Sequence, residues 1–376
     1  MIDAIPQAQN NENPDRDMQH NQGIDISIIV PCFNHGEYLR EALASVANYQ
    51  GNNHEIIIVN DGSTEPGTLQ ILAELSKNGD RIINQANHGL AHARNTGIAA
   101  AQGRYILPLD ADNKIRPIYI TRGIEVLDQF PAVGIVYGDV AYFGDQNLVW
   151  ALPDFDLDRL MLGNFIDACA VFRKQVWQDC GGYDQQMPDR LGYEDWDFWL
   201  GAAAQGWQFH HLDMVTYDYR VRSDSMVQKC KLPANQQRLV HYICQKHESL
   251  YRPKYAAVIA AKELATFEQI QKAEEARLQL AQTQAEVDRL EQELKHIYAD
   301  KAEQDRPINQ LEQQITKLQQ KSLAEQQQLG QETLNQLEKL QAELDWMKTS
   351  KFWRSRQLFM QIKRKFKTIL GFNSKS

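Results

Sequence analysis

An α/β sheet of mostly parallel strands, followed by a long helical region, is the fold this sequence predicts. Three observations predict it. Short β-branched runs, each closed by turn residues, recur through the first half of the chain. Segments with apolar residues at helical spacing lie between them, and a strand–helix–strand order is that of a parallel sheet. Beyond about Tyr255, glycine almost vanishes and Gln, Glu, Lys, Leu and Ala dominate, the texture of extended helix.

The runs come in order. Ile26–Val30 is ended by Pro31, Glu55–Val59 by Asn60-Asp61-Gly62, and Arg104–Leu109 by Asp110; Val133–Tyr137 is a fourth. Glu37–Tyr49 is helical because Tyr38, Leu39, Ala42, Leu43 and Val46 fall on one face. Thr68–Leu75 and Gly89–Ala101 read as the next two helices. Pro108 sits awkwardly, because proline cannot donate to a sheet ladder. In such sheets ligands bind beyond the carboxyl ends of the strands. Asn34, Asp61, Asp110 and Asp112 follow strand ends and are the first residues to consider.

The chain of 376 residues has room for one enzyme-sized domain and something more. We place a sheet domain at 24–250, a helical coiled-coil region at 251–349, a disordered lead-in at 1–23 and a basic amphipathic tail at 350–376. Val287, Leu290, Leu294 and Ile297 step as a heptad seam, as do Leu311, Ile315 and Leu318, and Leu337, Leu340, Leu344 and Met347. Pro307 separates the first seam from the second and Gly330 weakens the middle. Self-association is the expectation, with a long single helix or a hairpin as the alternative.

The net charge is −9, yet Lys348–Ser376 holds nine Lys or Arg and no acid, so the remaining chain is twice as acidic as the total suggests. An acidic body argues against a nucleic-acid-binding core. Five scattered cysteines, an odd number with no C-x-x-C, read as reduced thiols. No run is long enough to span a bilayer, and residues 1–23 lack the apolar stretch of a signal peptide. A cytoplasmic location is expected. On a helix, Phe352, Phe359, Ile362, Phe366, Ile369 and Leu370 share one face, away from most of Arg354, Arg356, Arg364, Lys365 and Lys367. That pattern suits an anionic membrane surface, and equally packing onto the protein.

Asp110-Ala-Asp112 leaves a strand end with two carboxylates that can reach one hard cation. Alone the pair is a weak signal, since Asp suits turns. It stands, however, in an ordered set: Val30-Pro31-Cys32-Phe33-Asn34, Val59-Asn60-Asp61-Gly62-Ser63, Asn87 to Asn95, Leu109 to Asn113, and Gly192-Tyr193-Glu194-Asp195-Trp196-Asp197. Over about Asp25–Ser249 this set resembles glycosyltransferase family 2, whose fold is the Rossmann-like GT-A nucleotide-sugar domain. The end of the chain, at Ser350-Lys351-Phe352-Trp353-Arg354, resembles cyanobacterial members with a C-terminal coiled coil.

The resemblance implies roles. Pro31 and Asn34 match a loop lining the nucleotide, Asp61 the carboxylate on the base, and Arg94 an arginine beside the nucleotide. Asp110 and Asp112 match the Mn²⁺ or Mg²⁺ and diphosphate motif. Asp195 matches the catalytic base, with Glu194 its neighbour. Arg222, in Tyr219–Met226, matches a loop closing over the diphosphate. The implied reaction is an inverting, non-processive transfer of sugar from a nucleotide-diphosphate sugar to a glycan or lipid-linked acceptor hydroxyl, in polysaccharide or glycolipid synthesis. Peripheral attachment at the inner face of the plasma membrane would suit it.

Simpler readings stand beside these. Asp61-Gly62 can be only a turn, Arg94 a helix-surface charge, and Glu194-Asp195 the acidic first turn of a helix. Trp196, Phe198, Trp199 and Trp207 read as core, and His210 and His211 as structural. Two departures are visible: Asn113 replaces a frequent third aspartate, and Asn235–Leu239 lacks the Q-x-x-R-W of processive members. A sugar nucleotidyltransferase would carry a G-x-G-x-R loop after the first strand, which is not present there. An inactive scaffold is a further alternative, although the acidic motifs are complete.

Overall fold

The computed structural model describes residues 23–51, 53–223, 225–299, 313–325 and 327–328. The elements are β1 (Ile26–Cys32), α1 (Gly36–Ala47), β2 (His54–Asp61), α2 (Pro66–Lys77), β3 (Arg81–Gln85), α3 (Leu90–Ala100), β4 (Tyr105–Pro108) and β5 (Lys114–Ile115). Then come α4 (Pro117–Gln129), β6 (Val133–Gly144), β7 (Leu148–Trp150), α5 (Leu157–Leu162), β8 (Val171–Arg173) and α6 (Lys174–Cys180). The last are α7 (Glu194–Ala204), β9 (Gln208–Val221), α8 (Met226–Cys230), α9 (Pro233–Lys246) and α10 (Glu248–Ala299).

The sheet runs β3-β2-β1-β4-β8-β6-β9-β5, with β7 paired to β6. β3, β2, β1 and β4 are parallel, as are β6 and β9, while β8, β5 and β7 run antiparallel to their neighbours. The chain moves from β1 outward to β3 and then returns to the other side of β1 as β4. That reversal leaves a crevice beyond the carboxyl ends of β1 and β4. All of β1 is buried, consistent with a strand covered on both faces.

Both prolines sit where the ladder can spare a donor. β1 continues through Pro31 to Cys32, further than expected. Pairing with β4 stops at Ile29↔Pro108, so Pro31 faces only β2. Pro108 is the last residue of β4, and β8 reaches only Tyr105 and Ile106. β3 has no counterpart in the sequence reading. Its pattern is half-exposed at the sheet edge, so it lacks the apolar run that announced the others. β6 outlasts the expected Val133–Tyr137 because β9 pairs with it as far as Gly144.

Helix α3 lies close on the sheet. A Cβ on Gly97 would fall 2.4 Å from Ile29 and 3.1 Å from Val59, so only glycine permits this approach. The seating carries Arg94, one turn earlier, into the interior.

Helix α10 leaves the sheet domain rather than standing apart from it. Its Tyr251 hydroxyl donates to the Met161 carbonyl at 2.9 Å, Lys254 pairs with Asp158, and Leu250 and Val258 pack on the core. Contacts therefore continue past the expected division at 250. Further on, the helix at 313–325 returns alongside α10: Ser322 donates to Gln284 at 3.3 Å and Gln319 to Glu291 at 2.9 Å. Later residues meet earlier ones, so the pair is an antiparallel hairpin within one chain. Val287, Leu290 and Ile315 are buried there. Leu318 is half-buried, while Leu311, the seam from Leu337 to Met347, residues 1–22 and the tail at 350–376 lie outside the described residues. Among the described residues no helix is long and apolar enough to cross a membrane.

Candidate functional site

The site forms where three loops meet at the β1–β4 crevice. The loop after β1 is tied to the loop after β2 by Asn34. Its Oδ1 accepts from the backbone N–H of Thr64 (2.8 Å) and Glu65 (3.0 Å), and its own N–H donates to Ser63 Oγ at 3.1 Å. Asn34 holds φ at 56° to do this, a conformation Asn tolerates better than most residues. Pro31 is buried beneath this loop.

Asp61 ends β2 and is buried. Its carboxylate accepts from Gln85 Nε2 at 2.7 Å and from the N–H groups of His88 and Gly89 at 3.0 and 2.9 Å. It is therefore more than a turn residue, since it anchors the loop that leads into α3. Gly62 is required beside it: φ is 72°, and a Cβ would come within 2.6 Å of Asn87 N.

Arg94 is the centre of the site. It is 1% exposed, donates to Asp110 Oδ1 at 2.7 Å, pairs with Glu194, and lies 5.6 Å over the Tyr183 ring. The helix-surface reading is thus overturned: packing of Gly97 on the sheet turns Arg94 inward. Burial alone would lower its pKa, but Asp110 and Glu194 hold it well above the ordinary value. Glu194 is buried in this pair, whereas Asp195 keeps partial access to solvent.

Asp110 and Asp112 leave the end of β4. The Asp110 side chain is 29% exposed. Asp112 lies 3.3 Å from Arg222, so the arginine singled out near the end of β9 does reach the acidic pair. Arg222 also donates to His35 Nε2 at 3.1 Å, and its guanidinium lies 5.1 Å over the Tyr38 ring. Burial, and then the charge of Asp110, push the Asp112 carboxyl up. Asn113, in place of a third aspartate, accepts from Arg220 N at 2.9 Å through Oδ1. It is 2% exposed, so the amide supplies the acceptor without burying another charge.

Asp195 opens α7. Its Oδ1 accepts from Trp196 N at 2.7 Å and its Oδ2 from Asn164 Nδ2 at 2.9 Å. Burial first, then the nearby Glu194 and Asp167, raise its pKa well above the ordinary value, against the opposing pull of Arg94. Asp167 was not evident in the sequence. Burial and the charge of Asp110 raise it to about 6, while Cys169 N and Tyr217 hydrogen-bond it. The signal was a lone acid inside the apolar stretch 165–171. Asn164, His35 and Arg220 were likewise missed, because each meets its partners only through distant chain segments.

The other sequence candidates fall outside the site. Trp196, Phe198 and Trp199 are core, with the indoles of Trp196 and Trp199 donating to Leu160 O and Ile166 O. Trp207 donates to Asp179 at 3.1 Å. His210 stacks on Phe130, and His211 bonds Asp139 at 3.0 Å. Asp197 is held by Lys246 and His247 of the α9 end.

Among the described residues no group of three or more His, Cys, Asp or Glu is arranged to hold a metal ion. Two hard carboxylates at a strand end nevertheless suit a hard cation whose other ligands come from a substrate.

Residues 27–181 match the family model described as glycosyl transferase family 2. Hyaluronan synthase of Pasteurella multocida is 25% identical over 60% of this chain and 23% of its own length. Poly-beta-1,6-N-acetyl-D-glucosamine synthase of Staphylococcus epidermidis is 26% identical over 54% of this chain and 49% of its own. The chain thus spans half or less of the length of these relatives. Among solved structures, S. aureus TarS 1–349 in complex with UDP-GlcNAc superposes with a TM-score of 0.50 at 20% identity, covering 59% of this chain and 66% of that one. Mannosyltransferase PcManGT from Pyrobaculum calidifontis, in complex with GDP-Man and Mn2+, gives 0.52 at 16% identity, covering 86% and 87%. With its sheet order and its strand-end carboxylates the sheet domain has the GT-A fold, and residues 27–181 of it match glycosyltransferase family 2.

Proposed function

We propose that this chain transfers one sugar per encounter from a nucleotide-diphosphate sugar to an acceptor hydroxyl, with inversion, in the synthesis of a polysaccharide or glycolipid. The observation that carries the reading is the buried Arg94, which joins the strand-end Asp110 to Glu194 and so lies beside Asp195. Family relatives named as polysaccharide synthases support the substrate class.

The residues divide the work. Asp61 keeps the loop to α3 closed. A carboxylate has about four lone-pair positions, so three protein donors leave room for a base N–H. Arg222 and His35, beside Asp112, would meet the diphosphate. Asp110 and Asp112 would hold Mn²⁺ or Mg²⁺, which when bound would neutralise charge on the departing diphosphate. Asp195 takes the proton of the acceptor hydroxyl. As it does so, the acceptor oxygen bonds to the anomeric carbon, and the bond from that carbon to the phosphate oxygen breaks. A carboxylate raised toward neutrality is a better base for this step than an ordinary one. Glu194 is already committed to Arg94, which supports Asp195 as the base.

A thermal-shift screen of uridine and guanosine diphosphate sugars with Mn²⁺ identifies the donor, because a ligand of the folded state raises Tm. Asp195→Asn should then bind that donor normally and lose transfer by about 10²–10⁴-fold. Normal transfer by Asp195→Asn, together with an inactive Glu194→Gln, would reverse the assignment. Single-sugar products at low acceptor excess check the non-processive reading. Self-association through the helical region and membrane contact by the tail are further parts of the proposal. Light scattering and co-sedimentation with anionic vesicles test them.

A further inference from the structure

The stretch from Leu160 to Ile166 has no regular structure after α5, yet it is tightly held. Trp196 Nε1 donates to Leu160 O at 2.7 Å, the Tyr251 hydroxyl to Met161 O at 2.9 Å, and Trp199 Nε1 to Ile166 O at 2.9 Å. These donors come from α7 and α10. The last carbonyls of a helix such as α5, and buried carbonyls beyond it, need such partners, and aromatic N–H and O–H groups supply them within a packed core. Asn164 sits between the anchors. Its Oδ1 accepts from Ile166 N at 3.2 Å, which fixes the orientation of the amide. Its Nδ2 therefore points the other way, to Asp195 Oδ2 at 2.9 Å.

We propose that Asn164 is a positioning residue for the Asp195 carboxylate, and that the docking of α10 on this stretch helps to hold it there. The proposal rests on Asp195 being the base. Asp195 has two oxygens, and Trp196 N holds the other. The two donors thus fix the plane of the carboxylate and leave its remaining lone pairs toward the crevice. The amide also favours the ionised form. It works against burial and against Glu194 and Asp167, alongside Arg94. Tyr183, Tyr193 and Cys230 are the other titratable groups near this carboxylate. One consequence is that α10 reaches the chemistry: removing it would release the Met161 carbonyl, three residues before Asn164.

The test is a carboxyl ¹³C NMR titration of the full-length protein with labelled aspartate, the Asp195 signal being assigned by its absence in Asp195→Asn. It needs no substrate. Asn164→Ala should move the Asp195 midpoint upward by about one pH unit, the worth of one hydrogen bond to a charged group. Asn164→Asp keeps the acceptor for Ile166 N and so preserves the local turn. It loses the donor and adds a like charge, and should move the midpoint further. Tyr251→Phe should shift it in the same direction by less. An unchanged midpoint in both Asn164 variants overturns the proposal. Its failure is distinct from failure of the parent reading, which falls only if Asp195→Asn retains transfer.

Discussion

The sheet domain and the helical hairpin both carry many charges, but they place them oppositely. In the sheet domain the decisive ion pairs are buried and join distant parts of the chain: Arg94 meets Asp110 and Glu194 at 1% exposure. In the hairpin the pairs are local and wet. Arg289 reaches Glu286 and Glu293, and Lys321 reaches Glu325, with side-chain exposures from 36% to 63%. The difference teaches what each charge is for. An exposed pair one helical turn apart gains little, because water screens it. A buried cation between two carboxylates is costly to assemble and more costly to break, so it persists where geometry must be held for chemistry.

The largest effect should come from breaking the buried centre. Arg94→Met leaves Asp110 and Glu194 facing each other without their cation. It should cost about 3–5 kcal/mol of stability, read by urea unfolding, and abolish donor binding. If the variant is as stable as wild type, the site tolerates uncompensated acids and the contrast fails.

Next are the strand-end acids. Asp110→Ala and Asp112→Ala should weaken Mn²⁺-dependent nucleotide-diphosphate binding by more than about 10-fold while the fold persists. Calorimetry with and without the metal checks this, and equal affinity in both variants removes the metal assignment.

A smaller effect concerns pH. Asp167 has a folded pKa raised to about 6 by burial and by Asp110. The folded state therefore holds this proton over a window where the unfolded chain has lost it. Stability should fall as pH rises from about 4 to about 6, because the unfolded state binds fewer protons there. Asp167→Asn should flatten that part of the curve in the metal-free protein. An unaltered slope would place Asp167 in a wetter setting than its neighbours imply.

The smallest effect belongs to the hairpin. Arg289→Ala should leave Tm and donor binding within error of wild type. A clear loss would mean that the hairpin contributes to the site through more than the α10 docking at Tyr251.

Most of the strand framework was legible because buried parallel strands announce themselves as β-branched runs, as in Ile26–Val30 and Glu55–Val59. β3 escaped because an edge strand such as Arg81–Gln85 buries only part of itself. Val287, Leu290 and Ile315, three positions of the heptad steps, are buried. Their partner was not legible, since the same pattern serves a second chain or a fold-back of the same one. Here a fold-back is observed.

By itself the sequence determined the α/β class, the positions of the strand-end carboxylates and the acidic start of α7, because strand ends and helix starts are local events set by neighbouring residues. Only the tertiary structure decided which acid is committed to an arginine and which keeps access to the crevice. Glu194 and Asp195 are adjacent in sequence, and helical geometry sends adjacent side chains in different directions. One therefore meets Arg94, delivered by the close seating of Gly97 on the sheet, and the other meets Asn164, delivered by a stretch pinned from α7 and α10. Those encounters span 100 and 31 residues of separation, respectively, and contacts at such range depend on how the whole chain packs.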